Sequence, residues 1–211
     1  MSHKQTALSI QAETIIKNLE KRNMEGYYFA SAAACTEAIL STLPKGSVIG
    51  WGGSESIKEC GLLEEIQKGG YELLDRSLAR TPEESRQIYA KTVLADYYLM
   101  STNAITLGGE LINIDGNGNR VACLIQGPSH VIIIAGMNKV VSTAEDAIRR
   151  VRNIASPPNC IRLNKQTPCA VTGMCAECLG DDCICSQTVI TRRSGIKDRI
   201  KVLLVGEELG Y

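Results

Sequence analysis

His130-Val131-Ile132-Ile133-Ile134-Ala135 runs straight into Gly136-Met137-Asn138-Lys139, and the reading of this stretch decides the fold. From Val131 to Ala135 the residues are apolar without alternation, so the strand they form must be covered on both faces. Such a strand belongs in the middle of a parallel sheet with helices on either side. The glycine and polar residues that follow then stand at the carboxyl edge of the sheet, where folds of this kind place their ligands.

Outward from that strand, apolar periodicity predicts helices over 9–23, 32–43, 57–67 and 142–155. Short apolar runs predict strands over 26–30, 47–51, 71–74, 96–101, 104–106, 110–114, 121–125 and 201–205. Thr81-Pro82-Glu83-Glu84 is a helix start, with Thr81 as cap, Pro82 in the first turn and Glu84 able to complete a capping box. Asp115-Gly116-Asn117-Gly118-Asn119 carries a strong hairpin signal, which would join 110–114 to 121–125 and make the sheet mixed. The fold class expected is therefore α/β, a three-layer arrangement of a mixed sheet flanked by helices. Composition shifts after Pro157-Pro158, where Cys, Thr and Gly rise and periodicity disappears. The expected organisation is an α/β domain over 1–158, a Cys-rich segment over 159–190 that could bind metal, and a C-terminal segment over 191–211 that returns to the α/β domain.

With 211 residues, 44% of them hydrophobic, the chain can bury a substantial core. Basic and acidic residues balance at 23 each, and no basic block exists, so the charge pattern offers nothing to nucleic acid or to an anionic membrane. One Trp and one Phe leave little for base stacking. No apolar run approaches the roughly eighteen residues of a bilayer span. The first twenty residues are polar and amphipathic rather than signal-like. A cytoplasmic location is the expectation, and there disulfides are rare.

That makes the cysteines informative. Five of the nine lie between Cys169 and Cys185 in the spacing C-x5-C-x2-C-x4-C-x-C. Cys175 and Cys178 form a close pair of the kind that metal sites use, and Cys169 and Cys185 complete a four-thiolate set. Cys183 competes with Cys185 for the last place, because the two are too close to act as an ordinary pair. Pure thiolate ligation suits an iron–sulfur cluster or, alternatively, zinc. Cys160 is an outlying candidate ligand, and a Cys183/Cys185 thiol sensor is a third reading. Cys35, Cys60 and Cys123 fall in regular elements and read as small core residues.

Three polar stretches could form a site. Gly50-Trp51-Gly52-Gly53-Ser54-Glu55-Ser56 joins a strand to a helix. Gly52 and Gly53 allow a ligand close to the backbone, and Ser54 and Ser56 can donate hydrogen bonds. The stretch matches neither the dinucleotide fingerprint nor the Walker loop, and a plain turn capped by Ser54 would look the same. Asn103, Thr106, Glu110 and Asn113 follow the 96–101 strand. Asn103, Thr106 and Asn113 suit binding, whereas Glu110 could be a base or nucleophile if desolvated or a solvated turn residue if not. Lys139 could hold a carboxylate or phosphate, or stand exposed in a loop. A Ser-His-Asp arrangement would rest on His130 alone, whose imidazole more simply satisfies a backbone group.

Residues 101–106, 109–121, 136–141 and 155–159, including Gly109-Glu110-Leu111-Ile112-Asn113-Ile114-Asp115-Gly116 and Gly136-Met137-Asn138-Lys139, resemble the LUD domain family (lactate utilization, LutC-like). The tail, with Thr167-Pro168-Cys169 and Gly173-Met174-Cys175-Ala176-Glu177-Cys178, resembles a cysteine-bearing branch of it. The resemblance implies an architecture similar to the ribose-5-phosphate isomerase, glucosamine-6-phosphate deaminase and CoA-transferase superfamily, with Gly52, Gly53, Ser54, Asn103, Thr106, Glu110, Asn113 and Lys139 at the ligand site. It also implies an accessory or redox role in lactate-type organic-acid utilization. That role brings a small anionic metabolite and iron–sulfur or flavin oxidoreductase partners; separately, the neutral net charge and apolar edge strands allow a homodimer. The alternative is an isomerase or CoA-transferase-class enzyme using Glu110, with the cysteines purely structural.

Overall fold

A computed structural model describes residues 2–211. Ten strands and nine α-helices are described: α1 (His3–Glu20), β1 (Glu25–Phe29), α2 (Ala32–Thr42), β2 (Val48–Trp51), α3 (Glu55–Glu59), α4 (Leu62–Lys68), β3 (Glu72–Leu74), α5 (Pro82–Val93), β4 (Tyr97–Met100), β5 (Ala104–Thr106), β6 (Leu111–Asp115), α6 (Asn119–Ile125), β7 (His130–Gly136), β8 (Val140–Val141), α7 (Ala144–Arg150), α8 (Ser156–Arg162), α9 (Pro168–Thr172), β9 (Gln187–Thr191) and β10 (Ile200–Val205). None of the described helices is long and apolar enough to cross a membrane.

The apolar run at 131–135 is a central strand, as its lack of alternation requires. β7 lies between β10 and β4 in a six-stranded sheet ordered β1-β10-β7-β4-β2-β3, and every pairing in it is parallel. Side chains alternate across it. Val131, Ile133 and Ala135 join Tyr98, Met100, Val202 and Leu204 in a core closed by Ala12, Ile15 and Leu19 of α1 and by Cys123 and Leu124 of α6. Ile132 and Ile134 join Ile49, Leu99, Leu203 and Val205 in a second core on the other face. There Cys35 and Ile39 of α2, Ile57 of α3, and Leu62 and Ile66 of α4 cover them. Full burial of each such aliphatic side chain contributes about 1.5–3 kcal/mol. Cys35, Cys60 and Cys123 are core residues, as expected.

The mixed sheet is a separate one. β8-β5-β6-β9 combines a parallel pair, β5 with β8, and two antiparallel pairs, β5 with β6 and β6 with β9. Ile105 and Leu111 reach the first core. Ala104, Ile112 and Ile114 face a third, smaller core with Ala147, Val151 and Ala155.

Several local expectations are corrected. The 121–125 run is not the second strand of a hairpin but helix α6. The free edge of β6 is taken by β9, so a strand at 121–125 would have no partner there, and the helix instead buries Val121, Cys123 and Leu124. Gly118 at φ +78 starts it, and the Asp115 carboxylate accepts from the Gly118 N–H at 3.1 Å, so the Asp-Gly/Asn-Gly loop turns into a helix. The single helix expected over 57–67 is two, broken where Gly61 takes φ +74. α1 begins earlier than periodicity suggested, because Ser2 and Gln5 form a capping box. The helical backbone does not stop before Pro157-Pro158. α7 passes through a π-helical segment, Val151–Ala155, into α8. The prolines lack the N–H groups that regular α-helical pairing would need, and a widened turn just before them is one local solution.

Candidate functional site

Four parallel strands deliver their carboxyl ends to one place. β2 leads to Ser54 and Ser56, β4 to Ser101 and Thr102, β7 to Lys139, and β10 to Leu209 and Gly210. There a cavity of about 450 Å³ opens. Its walls include Gly53, Ser54, Ser56, Asn103, Lys139 and Gly210.

Lys139 is the unusual member. It is 4% exposed, far from the exposed loop lysine that sequence alone allowed. Its Nζ donates to Ser56 Oγ at 2.8 Å and Ser101 Oγ at 3.1 Å, and it forms no ion pair among the described residues. Burial, then the positive charges of Arg150 and Arg120, lower its pKa to about 7 against a weaker opposing pull from Glu59. Gly210 is at φ +57, and a Cβ there would stand 2.7 Å from Ser56 Oγ and 3.4 Å from Lys139 Nζ. The C-terminal turn is therefore packed directly on the lysine.

Arg120, from the first turn of α6, ties the two sheets together. Its Nη1 donates to Asn113 Oδ1 at 2.5 Å and to the Ser101 carbonyl at 3.2 Å. Its Nη2 donates to Asn103 Oδ1 at 2.9 Å and the Ile114 carbonyl at 3.0 Å. Nε lies 3.3 Å from Asp115 Oδ2, a charge contact without hydrogen-bond alignment, since Oδ2 has no hydrogen-bond partner among the described residues. With its donors committed to protein, Arg120 shapes the wall rather than clamping a ligand. Arg76 and Arg162 also line the cavity. Arg162 is held by Asn159 at 2.7 Å and by the Glu55 carboxylate at 3.7 Å.

The structure gathers some of the expected site residues and disperses others. Gly53, Ser54, Ser56, Asn103 and Lys139 line the cavity. Ser54 also caps α3, its Oγ accepting from the Ile57 N–H at 3.4 Å. Gly52 lies behind the wall, where a Cβ would meet the Tyr98 hydroxyl at 2.9 Å. Asn113 is fully buried; its Oδ1 serves Arg120 and its Nδ2 has no partner among the described residues. Thr106 accepts from the Glu110 N–H at 3.0 Å in the turn between β5 and β6. The Glu110 carboxylate faces Arg22 at 3.6 Å and is not among the cavity-lining residues. His130 stacks on Tyr97 with ring centroids 5.0 Å apart, at the amino end of the sheet. Its Nδ1 has no partner among the described residues, so the expected backbone partner for that atom is not found.

Arg76, Arg120, Arg162 and Gly210 line the cavity without a sequence signal for it, whereas Ser101 heads the polar 101–106 stretch expected at the site. The signal for Ser101 was its place directly after an apolar strand. Arg120 was hidden by the strand reading of 121–125.

The cysteines pack against the same cavity. Cys183 and Ile184 form part of its wall, and the Ile184 backbone lies 3.3 Å from where a Gly116 Cβ would be. All nine cysteines are free. Cys169 Sγ is 3.6 Å from Cys160 Sγ, and Cys185 Sγ is 3.4 Å from Ser156 Oγ. Burial pushes the Cys160 thiol up to about 11. Burial also raises Cys178 and Cys185; the adjacent Cys183 thiol adds to both, and Cys175 and Cys169 add to Cys185. No group of three or more His, Cys, Asp or Glu side chains stands in ligating geometry among the described residues.

The model of the LUD domain matches residues 12–205. The chain belongs to the LUD domain family. No curated protein matches it. Among solved structures, this LUD-domain chain is similar over 98% of its length, and 99% of the other's, to a DUF162-family protein from Deinococcus radiodurans, with 17% identity and a TM-score of 0.51. At that identity the likeness concerns the fold alone. Partial matches are to eIF2B delta from Chaetomium thermophilum (14% identity, 56% of this chain and 51% of that one, TM-score 0.38) and to ribose 5-phosphate isomerase A from Methanocaldococcus jannaschii (16%, 54% and 54%, TM-score 0.34).

Proposed function

We propose that this LUD-domain protein is an accessory or redox component of lactate-type organic-acid utilization in the cytoplasm, and that its cavity binds a small anionic metabolite. The observation that carries the reading is Lys139. A buried amine held by two hydroxyls, without a carboxylate, opens onto a cavity that Arg76 and Arg162 also line. An anionic ligand there would lie against the lining arginines and within hydrogen-bond reach of the amine. The finer superfamily likeness, to the ribose-5-phosphate isomerase and CoA-transferase group, belongs to this proposal. Its supports are the sequence resemblance and the site's position at strand carboxyl ends.

In the same proposal Cys169, Cys175, Cys178 and Cys185 hold an iron–sulfur cluster or zinc. The donor chemistry fits, since the Cys183, Cys175 and Cys169 thiols stand close enough to Cys185 to add to the rise that burial gives it, and a metal that binds thiolates relieves that repulsion. The Cys160–Cys169 approach adds Cys160 to the candidate donors. The metal would supply electron transfer or a structural clamp. Val171, Met174 and Leu179 stand exposed on this segment, a surface suited to an iron–sulfur or flavin oxidoreductase partner. The rival reading, catalysis by Glu110, has that carboxylate engaged by Arg22 outside the cavity lining.

Titration calorimetry with lactate, pyruvate and inorganic phosphate tests the anion site. Binding that disappears in Lys139→Met supports it, and no heat with any of the three sinks it. Iron, zinc and acid-labile sulfide analysis of protein purified without oxygen tests the cysteine segment.

A further inference from the structure

The hydrogen bonds around Lys139 have a direction, and it bears on reactivity. Ser56 Oγ donates its hydrogen to the Leu209 carbonyl at 3.1 Å. Ser101 Oγ donates its hydrogen to the Thr102 carbonyl at 3.2 Å. A hydroxyl has one hydrogen, so each oxygen turns only lone pairs toward Nζ. A neutral amine would give both its hydrogens to these oxygens, at 2.8 and 3.1 Å, and keep its own lone pair unengaged. An ammonium would carry a third hydrogen with no acceptor among the described residues, a costly condition for a buried charge. The protein itself supplies acceptors for two hydrogens, the number a neutral amine carries.

We propose that Lys139 is a nucleophile that forms an imine with a small anionic carbonyl compound, an oxo acid or the open-chain form of a sugar phosphate. The inference rests on the reading of the cavity as an anion site and names the reaction it supports. The cavity volume of about 450 Å³ suits a small molecule, and Arg76 supplies positive charge for a carboxylate or phosphate, with Arg162 beside it sharing its charge with Glu55. The nitrogen lone pair bonds to the carbonyl carbon while the carbonyl oxygen takes a proton, giving a carbinolamine. Loss of that oxygen as water leaves the carbon–nitrogen double bond. No electrons are gained or lost, and water reverses the step. Ser56 and Ser101 lie within hydrogen-bond distance of the nitrogen and orient it, and the two protons it gives up leave with the carbonyl oxygen as water. Burial and the neighbouring guanidinium groups keep a large fraction of the amine unprotonated near neutral pH.

The test is reductive trapping on the full chain. Protein is incubated with pyruvate, and separately with glycolaldehyde phosphate, in the presence of cyanoborohydride, and adducts are located by peptide mass spectrometry. The expected result is an adduct on Lys139 at pH 7 forming at least about tenfold faster than on any other lysine. The reagent that gives it distinguishes a carboxylate-bearing from a phosphate-bearing substrate. Lys139→Arg removes the amine nucleophile, so the adduct should vanish from that peptide. Adducts spread over surface lysines, or none on Lys139 with either reagent, overturn the imine. If the anions still bind in that case, the anion site stands without the reaction; if neither binds, both readings fall. Site assignment in the native chain does not depend on how well the variant folds.

Discussion

Removing the Lys139 amine should change how stability depends on pH. The lysine titrates at 10.5 in its ordinary state and at about 7 in the folded protein. Between those values the unfolded chain holds a proton that the native state does not, so stability rises with pH there. Above 10.5 the native state bears no penalty from this group. As the pH falls toward 7 the penalty grows, and below 7 it is complete and constant. Lys139→Met replaces the amine with an unbranched apolar side chain, while Ser56 and Ser101 keep their carbonyl acceptors. The difference in unfolding free energy, native protein minus variant, should therefore rise by about 1.4 kcal/mol per pH unit above neutrality. That amounts to roughly 2 kcal/mol between pH 7 and pH 9, with a nearly flat line between pH 5 and pH 6. Urea denaturation of both proteins under reducing conditions measures it, and taking the difference cancels cysteines and tyrosines common to both. A difference that stays level from pH 7 to pH 9 would refute the reasoning, because the buried amine would then titrate like an exposed one.

Other perturbations probe separate parts of the structure. Arg120→Met leaves the side chains of Asn113, Asn103 and Asp115 without their cation and should cost about 3–5 kcal/mol in urea denaturation. Arg199→Met removes the guanidinium that accepts no proton but donates to the carbonyls of Cys123, Leu124 and Pro128 at 2.7–2.9 Å; a loss of about 2–3 kcal/mol should accompany faster amide exchange in α6. Glu110→Gln breaks only a partly exposed ion pair with Arg22, so it should cost less than about 1 kcal/mol and leave anion affinity unchanged by calorimetry. Cys178→Ser should lower the iron or zinc content of anaerobically purified protein, whereas the core substitution Cys35→Ser should not.

Local sequence carried much of the architecture. Ser31 and Thr81 accept from backbone N–H groups at the starts of α2 and α5. Glu84 departs slightly from a capping box, reaching the Arg80 N–H instead of that of Thr81. The site was legible where it follows directly from strand ends: Gly53, Ser54, Ser56, Asn103 and Lys139 are all within a few residues of one. It was not legible where one backbone signal serves two structures. Asp115-Gly116-Asn117-Gly118 can close a hairpin or start a helix, and both use glycine at positive φ. Glu110 looked like a reactive carboxylate because it lies in a polar stretch after a buried strand; only the position of α1, which brings Arg22 to it, turns it into an ion-pair partner.

What the sequence determined by itself was the parallel sheet and the edge at which the site lies. Unbroken apolar runs admit no solvent-facing side, and a strand's carboxyl end is wherever its chain direction puts it. Tertiary structure decided the partners. β9, which begins only at Gln187, occupies the edge of β6, leaves 119–125 to form a helix and so carries Arg120 into the wall. The same folding sets Ser56, Ser101 and Gly210 around Lys139 from three distant parts of the chain. Burial and hydrogen-bond direction belong to the assembled site, and they decide whether a lysine is a surface charge or a buried amine.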